Sequence, residues 1–275
     1  MSGALGMIAG AGDLPVDLAE RCAAEAAPYF IVRLKGLHDG RLDAHPGVTL
    51  PLGRLGAAID AFRSAGCDRL LFSGKVMRPT GLGGLSLDWR GLKGIVSLLL
   101  GNWSKDDRLH RQISRLFERD GLRVVGPAEV WPDLLAKEGV LTLRQPSPAD
   151  WDAIRLATAA AYDLALTDKG QGAVVRAGQV IALEGRGHTD GLLRDVQALT
   201  GQGGVLVKIA KPHQDRRIDL PVVGPGTILA AIAARLDGIA VETGSAMIIR
   251  PTETAAAADR AGLFLVGFDP RAVTA

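Results

Sequence analysis

LGMIAGAGDLPVDLAERCAAE, from Leu5 to Glu25, decides the fold. Leu5 to Ala9 is the short apolar run of a buried strand, and Gly10 to Gly12 make a turn. Leu14 to Glu25 carries apolar positions near helical spacing and predicts a helix. Strand, glycine turn and helix N-terminus together form the arrangement that cradles a pyrophosphate. Free backbone N–H groups and the helix dipole face the anion there. Working outward, Tyr29 to Leu34 (YFIVRL) predicts a second strand, Gly53 to Ala65 a helix, and Arg69 to Ser73 (RLLFS) a third strand. This alternation calls for a parallel sheet with helices on its faces. A helix over Leu109 to Arg119 and a strand over Leu122 to Val125 extend the unit to about Val140.

Leu143 to Asp150 (LRQPSPAD) is polar and Pro-rich, which places a boundary there and divides the chain into residues 1–143 and 144–275. Asp150 is the expected N-cap of a helix from Trp151 to Leu166. A second alternation follows. GAVVRAG and QVIALEG predict a hairpin around Ala177 and Gly178. A helix (Asp190 to Leu199), a strand (Gly203 to Ile209) and a helix (Thr227 to Ala234) come next, and GIAVE, AMIIR and LFLVG read as later strands. The predicted fold class is α/β: an N-terminal Rossmann-like parallel sheet and a C-terminal mixed α/β domain.

Composition excludes several functions. The chain is 47% hydrophobic and 23% charged, the balance of a packed protein rather than a disordered one. A net charge of +2 and 4% aromatics leave no basic, stacking surface, so no nucleic acid is expected as a partner. The two cysteines, Cys22 and Cys67, have no zinc spacing, which makes a reducing cytoplasm the default. No basic leader and no long apolar run predict neither a signal nor a membrane span. The five histidines form no HExxH pair, and no GxSxG elbow or Walker A sequence occurs.

The chemistry concentrates in KIAKPHQDRRIDLPVVGPGT, Lys208 to Thr227. Lys208, Lys211, His213, Gln214, Asp215, Arg216, Arg217 and Asp219 crowd a short span that ends at a Pro/Gly-punctuated apolar segment. Cations neutralise phosphate oxygens, and carboxylates hold Mg²⁺ or orient water. A solvated surface loop is the plainer alternative. In LEGRGHTDG, Glu184 ends a strand, Thr189 and Asp190 start a helix, and convergence with Asp219 would make a hard-cation site. Asp190 also suits a simple helix cap.

At the N-terminal end, the loop IAGAGDLP departs from G-x-G-x-x-G because Pro15 stands at the third glycine. Asp13 sits where an anion approaches, and the second strand ends near Arg33 rather than in an acidic ribose reader. These departures favour a nucleotide site over an NAD site, with a plain βα turn as the alternative. FSGKVMRP (Phe72 to Pro79) reaches the same carboxyl edge of the sheet and offers Gly74, Lys75 and Arg78 to a phosphate. In KDD, Asp107 serves either a helix N-terminus or a ligand. Gly81 to Trp103, apolar with Trp89, Arg90, Lys93 and Trp103 interspersed, suits a lipid interface or a core helix.

IAGAGDLP, FSGKVMRP, SKDDRLHRQI, DKGQGAVV, HTDGLLRDV, LVKIAKPHQDRRIDLPVVGPGTI and LFLVG occur here in one order. In that order the chain resembles the UDP-2,3-diacylglucosamine pyrophosphatases of lipid A biosynthesis, the type without a metallophosphoesterase fold. The resemblance spans essentially the whole chain and is most specific in K-x-x-K-P-x-Q-D-x-R-x-D-L-P-x-x-G. It implies a UDP-binding N-terminal domain and a C-terminal hydrolase domain. It implies attack by water on the α-phosphorus, with Mg²⁺ or Mn²⁺, releasing UMP and 2,3-diacylglucosamine 1-phosphate. It carries Asp219 over as the essential carboxylate, with Lys208, Lys211, Gln214 and Asp215 as catalytic neighbours. Glu184 and Asp190 join Asp219 as metal ligands, and Thr189 joins the substrate side. Gly10, Gly12, Asp13, Gly74, Lys75, Arg78 and Asp107 are the remaining substrate-binding candidates. A homodimer and peripheral contact with the inner membrane are implied as well. His188 replaces the glycine of a G-T-D motif, and Ser104-Lys105 stand where a glycine precedes the two aspartates. The competing readings are a nucleotide-sugar-binding module without catalysis and an NAD-type oxidoreductase.

Overall fold

The computed structural model describes residues 3–74, 106–185, 187–212 and 220–274, without the side chains of 106–111 and 274. The chain divides into two compact units, Met1–Val130 and Trp131–Ala275.

The first unit is a five-stranded sheet: β1 (Ala4–Ala9), β2 (Tyr29–Leu34), β3 (Gly47–Leu50), β4 (Cys67–Ser73) and β5 (Arg123–Val125). The order is β3-β2-β1-β4-β5, and every neighbouring pair is parallel. Helices α1 (Asp13–Ala24), α2 (Leu55–Ser64), α3 (Asp106–Arg119) and α4 (Pro127–Val130) connect or follow the strands. β1 is buried at all six positions, which explains its unbroken apolar run. Phe62 and Phe117 meet edge to face in the core beside Ile59, Leu70 and Val124. The strand order reverses direction between β1 and β4. Their carboxyl ends therefore form the crevice where open α/β sheets bind ligands.

The second unit carries a six-stranded mixed sheet, ordered β6-β13-β11-β9-β7-β8, and a separate parallel pair, β10-β12. The strands are β6 (Gly139–Val140), β7 (Gly172–Arg176), β8 (Gln179–Leu183), β9 (Val205–Lys208), β10 (Val222–Val223), β11 (Gly238–Glu242), β12 (Met247–Ile248) and β13 (Phe264–Phe268). β9, β11 and β13 run parallel, while β6, β7 and β8 join antiparallel. The helices are α5 (Pro148–Leu166), α6 (His188–Ala198), α7 (Pro225–Ala233), α8 (Pro251–Ala261) and α9 (Pro270–Thr274). Period two sorts the strand residues. Val174, Leu206, Ile239 and Leu265 pack with Leu193, Val196, Ile228 and Ala258 of α6, α7 and α8. Ala173, Val175, Val207 and Val266 pack with Ile154, Ala157 and Ala161 of α5. Helices cover both faces, so the central strands are apolar up to the charged residues at their carboxyl ends, Arg176, Lys208 and Glu242.

The units part after Val130, ahead of the Pro-rich stretch that the sequence offers as the boundary at 143. That stretch is tied into the second unit. Ala136 N donates to Ala246 O at 2.8 Å, β6 pairs with β13, and Arg144 bonds Asp237 at 3.0 Å. Asp150 is not the N-cap of α5. Ser147 caps the helix and Asp150 returns the bond from N3, a reciprocal capping box with Pro148 at the first helical position. AMIIR contributes only two strand residues, and they pair with β10 outside the main sheet. Among the described residues, no helix is long and apolar enough to cross a membrane.

Candidate active site

In the first unit the crevice is built from two loops that touch. Gly10 N donates to Ser73 O at 2.9 Å, which joins the ends of β1 and β4. Gly74, at φ +87°, lies so close to the first loop that a Cβ would stand 2.8 Å from Ala11 O. Pro15, in place of a third glycine, fills the space against Gly74, 3.0 Å from that Cβ position. Gly12 takes φ +108° with open space around it, which frees the turn at the start of α1. Asp13 accepts from Arg41 Nη2 at 2.7 Å, and Arg41 also clamps both oxygens of Asp39. The hydrogen bonds from Arg41 hold the Asp39 carboxyl down at about 2. Arg33 is buried and donates to the carbonyls of Leu42 and His45, so it closes the turn after β2 rather than reading a ribose.

In the second unit the carboxyl end of β9 gathers polar groups. Lys208 is only 4% exposed, and its Nζ donates to Thr189 Oγ1 at 2.6 Å and to Val222 O at 3.2 Å. Thr189 occupies the first turn of α6, where His188 adopts φ +51° after the Gly187 cap. One β9 lysine thus links α6 to β10. Glu184, immediately after β8, is 5% exposed, and its Oε2 is buried without a hydrogen-bond partner among the described residues. Its backbone N–H donates to Gly172 O at 2.8 Å. Gly172 is the register partner of Lys208. Side chains at such paired positions share one face of the sheet, so Glu184, folded over Gly172, lies on the Lys208 side. Glu242, at the end of β11, accepts from Ala210 N at 2.8 Å and fixes the backbone beyond Lys208.

The expected residues therefore separate into groups. Gly10, Gly12, Asp13 and Gly74 come together at one sheet edge; Lys208, Thr189 and Glu184 come together at the other sheet. Asp190 sits exposed in the first turn of α6. Lys211 reaches Asp168 Oδ1 at 2.7 Å. Lys75, Arg78, Gln214, Asp215, Asp219 and the segment Gly81 to Trp103 lie outside the described residues, as does the side chain of Asp107. No group of three or more His, Cys, Asp or Glu side chains among the described residues is placed to hold a metal. Burial pushes the thiols of Cys22 and Cys67 up to about 11, which disfavours the thiolate at neutral pH. Sequence reasoning missed Gly172, Arg41 and Glu242. Only the G-Q-G spacing ahead of β7 hinted at the first.

The fold and both sites define a two-unit α/β protein with a glycine-loop crevice on one sheet and a buried lysine and glutamate, Lys208 and Glu184, on the other. Residues 4–134 match the LpxI N-terminal domain and residues 137–266 the LpxI C-terminal domain. The UDP-2,3-diacylglucosamine pyrophosphatase LpxI of Caulobacter vibrioides is 38% identical over 275 residues, 97% of this chain and 98% of that protein. The chain belongs to the LpxI family.

Proposed function

We propose that this protein hydrolyses UDP-2,3-diacylglucosamine to UMP and 2,3-diacylglucosamine 1-phosphate in lipid A biosynthesis. The observation that carries this reading is full-length similarity to a UDP-2,3-diacylglucosamine pyrophosphatase, 38% identical across 97% of the chain. The first unit binds the UDP part at the crevice of Gly10, Gly12, Asp13 and Gly74, with Lys75, Arg78 and Asp107 as further contacts. The second unit carries the hydrolytic groups.

Water bonds to the α-phosphorus while the bond from that phosphorus to the bridging oxygen breaks. The electron pair leaves on the sugar 1-phosphate, and the water's proton passes to Asp219. Lys208, held rigid by Thr189 and Val222, places a positive charge where burial makes it count against a phosphate oxygen. Lys211, Gln214 and Asp215 are the further catalytic residues of this reading. The orphaned, buried oxygen of Glu184 fits a hard cation, so Glu184, Asp190 and Asp219 are the residues that would hold Mg²⁺ or Mn²⁺. The bound ion supplies positive charge against the diphosphate.

Hydrolysis in ¹⁸O-labelled water tests the assignment. Label in UMP means attack on the α-phosphorus; label in the sugar phosphate refutes it. We also propose a homodimer at the cytoplasmic face of the inner membrane. The exposed Val180 and Leu183 on edge strand β8 support a second copy, and the diacyl substrate supports membrane contact. Light scattering at a monomer mass would refute the homodimer, and absence of protein from sedimented vesicles would refute the membrane contact.

A further inference from the structure

Gly172 opens β7 in a buried position, and its Cα pairs with that of Lys208. A Cβ built on Gly172 would stand 2.7 Å from Glu184 Oε2, with Val207 O and Leu192 Cδ2 at 3.5 and 3.6 Å. No real Cβ tolerates the first contact, while the other two are ordinary van der Waals contacts. The missing side chain is therefore occupied by one specific atom, the carboxylate oxygen that has no hydrogen-bond partner among the described residues. An unpaired buried oxygen costs free energy, so a structural role alone does not account for it. A neighbouring glycine supplies the contrast. A Cβ on Gly170 would meet the backbone carbonyl oxygen of Glu184 at 2.5 Å, a group that cannot swing aside.

We propose that Gly172 is a positioning residue for the reaction: its empty side-chain space is the socket that holds the Glu184 carboxylate beside Lys208, ready for a divalent cation. The inference rests on the hydrolase reading above. Any side chain at 172 pushes the carboxylate out of the socket while leaving the β7–β9 ladder intact, because the displaced atom is the end of a flexible chain. The effect of substitution then runs through residue 184.

The test is a double-mutant cycle of Gly172→Ala and Glu184→Ala, read by melting temperature, by Mn²⁺ binding in electron paramagnetic resonance with UMP present, and by UMP release. Gly172→Ala is expected to lower Tm by only about 2–4 °C. It should reduce kcat at least tenfold with KM near the native value, and weaken Mn²⁺ binding by a similar factor. On the Glu184→Ala background it should change none of the three. Gly170→Ala should instead lower Tm far more, whichever residue stands at 184. The proposal is overturned if Gly172→Ala keeps native kcat and Mn²⁺ binding, or if its losses persist in full without Glu184. Should the native protein release no UMP, the hydrolase reading fails by itself. The melting cycle then still decides the socket: a Tm loss from Gly172→Ala that vanishes without Glu184 supports it, and an undiminished loss refutes it.

Discussion

Replacing Lys208 with Met keeps most of the length and volume of a nearly buried side chain and removes one charge. The ammonium donates to Thr189 Oγ1 at 2.6 Å and to Val222 O at 3.2 Å. Bonds from a charged donor contribute roughly 1.5–3 kcal/mol each, so the gross loss is about 3–6 kcal/mol. Burying an ammonium itself costs several kcal/mol, and Met removes that cost. The difference leaves a net destabilisation of about 1–3 kcal/mol, or a Tm lowered by roughly 2–12 °C for a unit of this size. Catalysis should suffer more than stability. Loss of one preorganised charge at a developing oxyanion costs about 10²–10³ in kcat. Lys208→Met should therefore melt cooperatively, bind UMP normally through the first unit, and turn over at about a hundredth to a thousandth of the native rate. The assay is single-turnover UMP release, with melting followed by circular dichroism. A folded Lys208→Met protein whose kcat stays within about threefold of native would refute the reasoning, since that is far short of the cost of a lost oxyanion contact.

Two further outcomes follow from the first unit. Gly74→Ala should lower Tm and weaken UMP binding at least tenfold by calorimetry, because φ +87° disfavours a Cβ by about 1–2 kcal/mol and Ala11 O stands in its way. Native UMP affinity in a folded Gly74→Ala protein would show that the two loops do not form the nucleotide crevice. The Asp39 carboxyl sits at about 2 instead of the usual 3.8 because Arg41 hydrogen-bonds it. The unfolded chain therefore binds more protons between those values. The stability from this clamp is complete above 3.8 and lost as pH falls through about 2. Asp39→Asn should flatten urea-denaturation stability against pH in that window, by a small amount because the pair is partly solvated. An unchanged slope would contradict the assignment.

The parallel sheet of the first unit was legible because its signals are local. An apolar run, a glycine turn and a helical stripe sit side by side between Leu5 and Glu25. β3 escaped because GVTL is four residues long, too short to display a period. β10 escaped for the same reason, whereas AMIIR was read as a strand and supplies only the two residues of β12. The capping box at Ser147 was missed in favour of Asp150, although both halves of the pattern lie three residues apart. In the site, Lys208, Thr189 and Glu184 were recognisable as residue types and motif positions. Their partners were not. The bond from Lys208 to Thr189 spans 19 residues, that from Lys211 to Asp168 spans 43, and that from Arg41 to Asp13 spans 28. Such contacts depend on strand order and register, which no local window contains. Gly172 is the clearest case, because its role appears only once β7 is laid beside β9 and Glu184 folds back over it.

Metal-assisted hydrolysis of a nucleotide-linked diacyl sugar by the second unit is the activity we propose. UMP release from UDP-2,3-diacylglucosamine, measured with Mg²⁺, with EDTA, and for Asp219→Ala, tests it most directly. EDTA should abolish release, and the folded Asp219→Ala protein should release UMP slower by roughly 10²–10⁴. Near-native turnover by that variant, or no release with any divalent metal while UMP still binds tightly, would contradict the proposal.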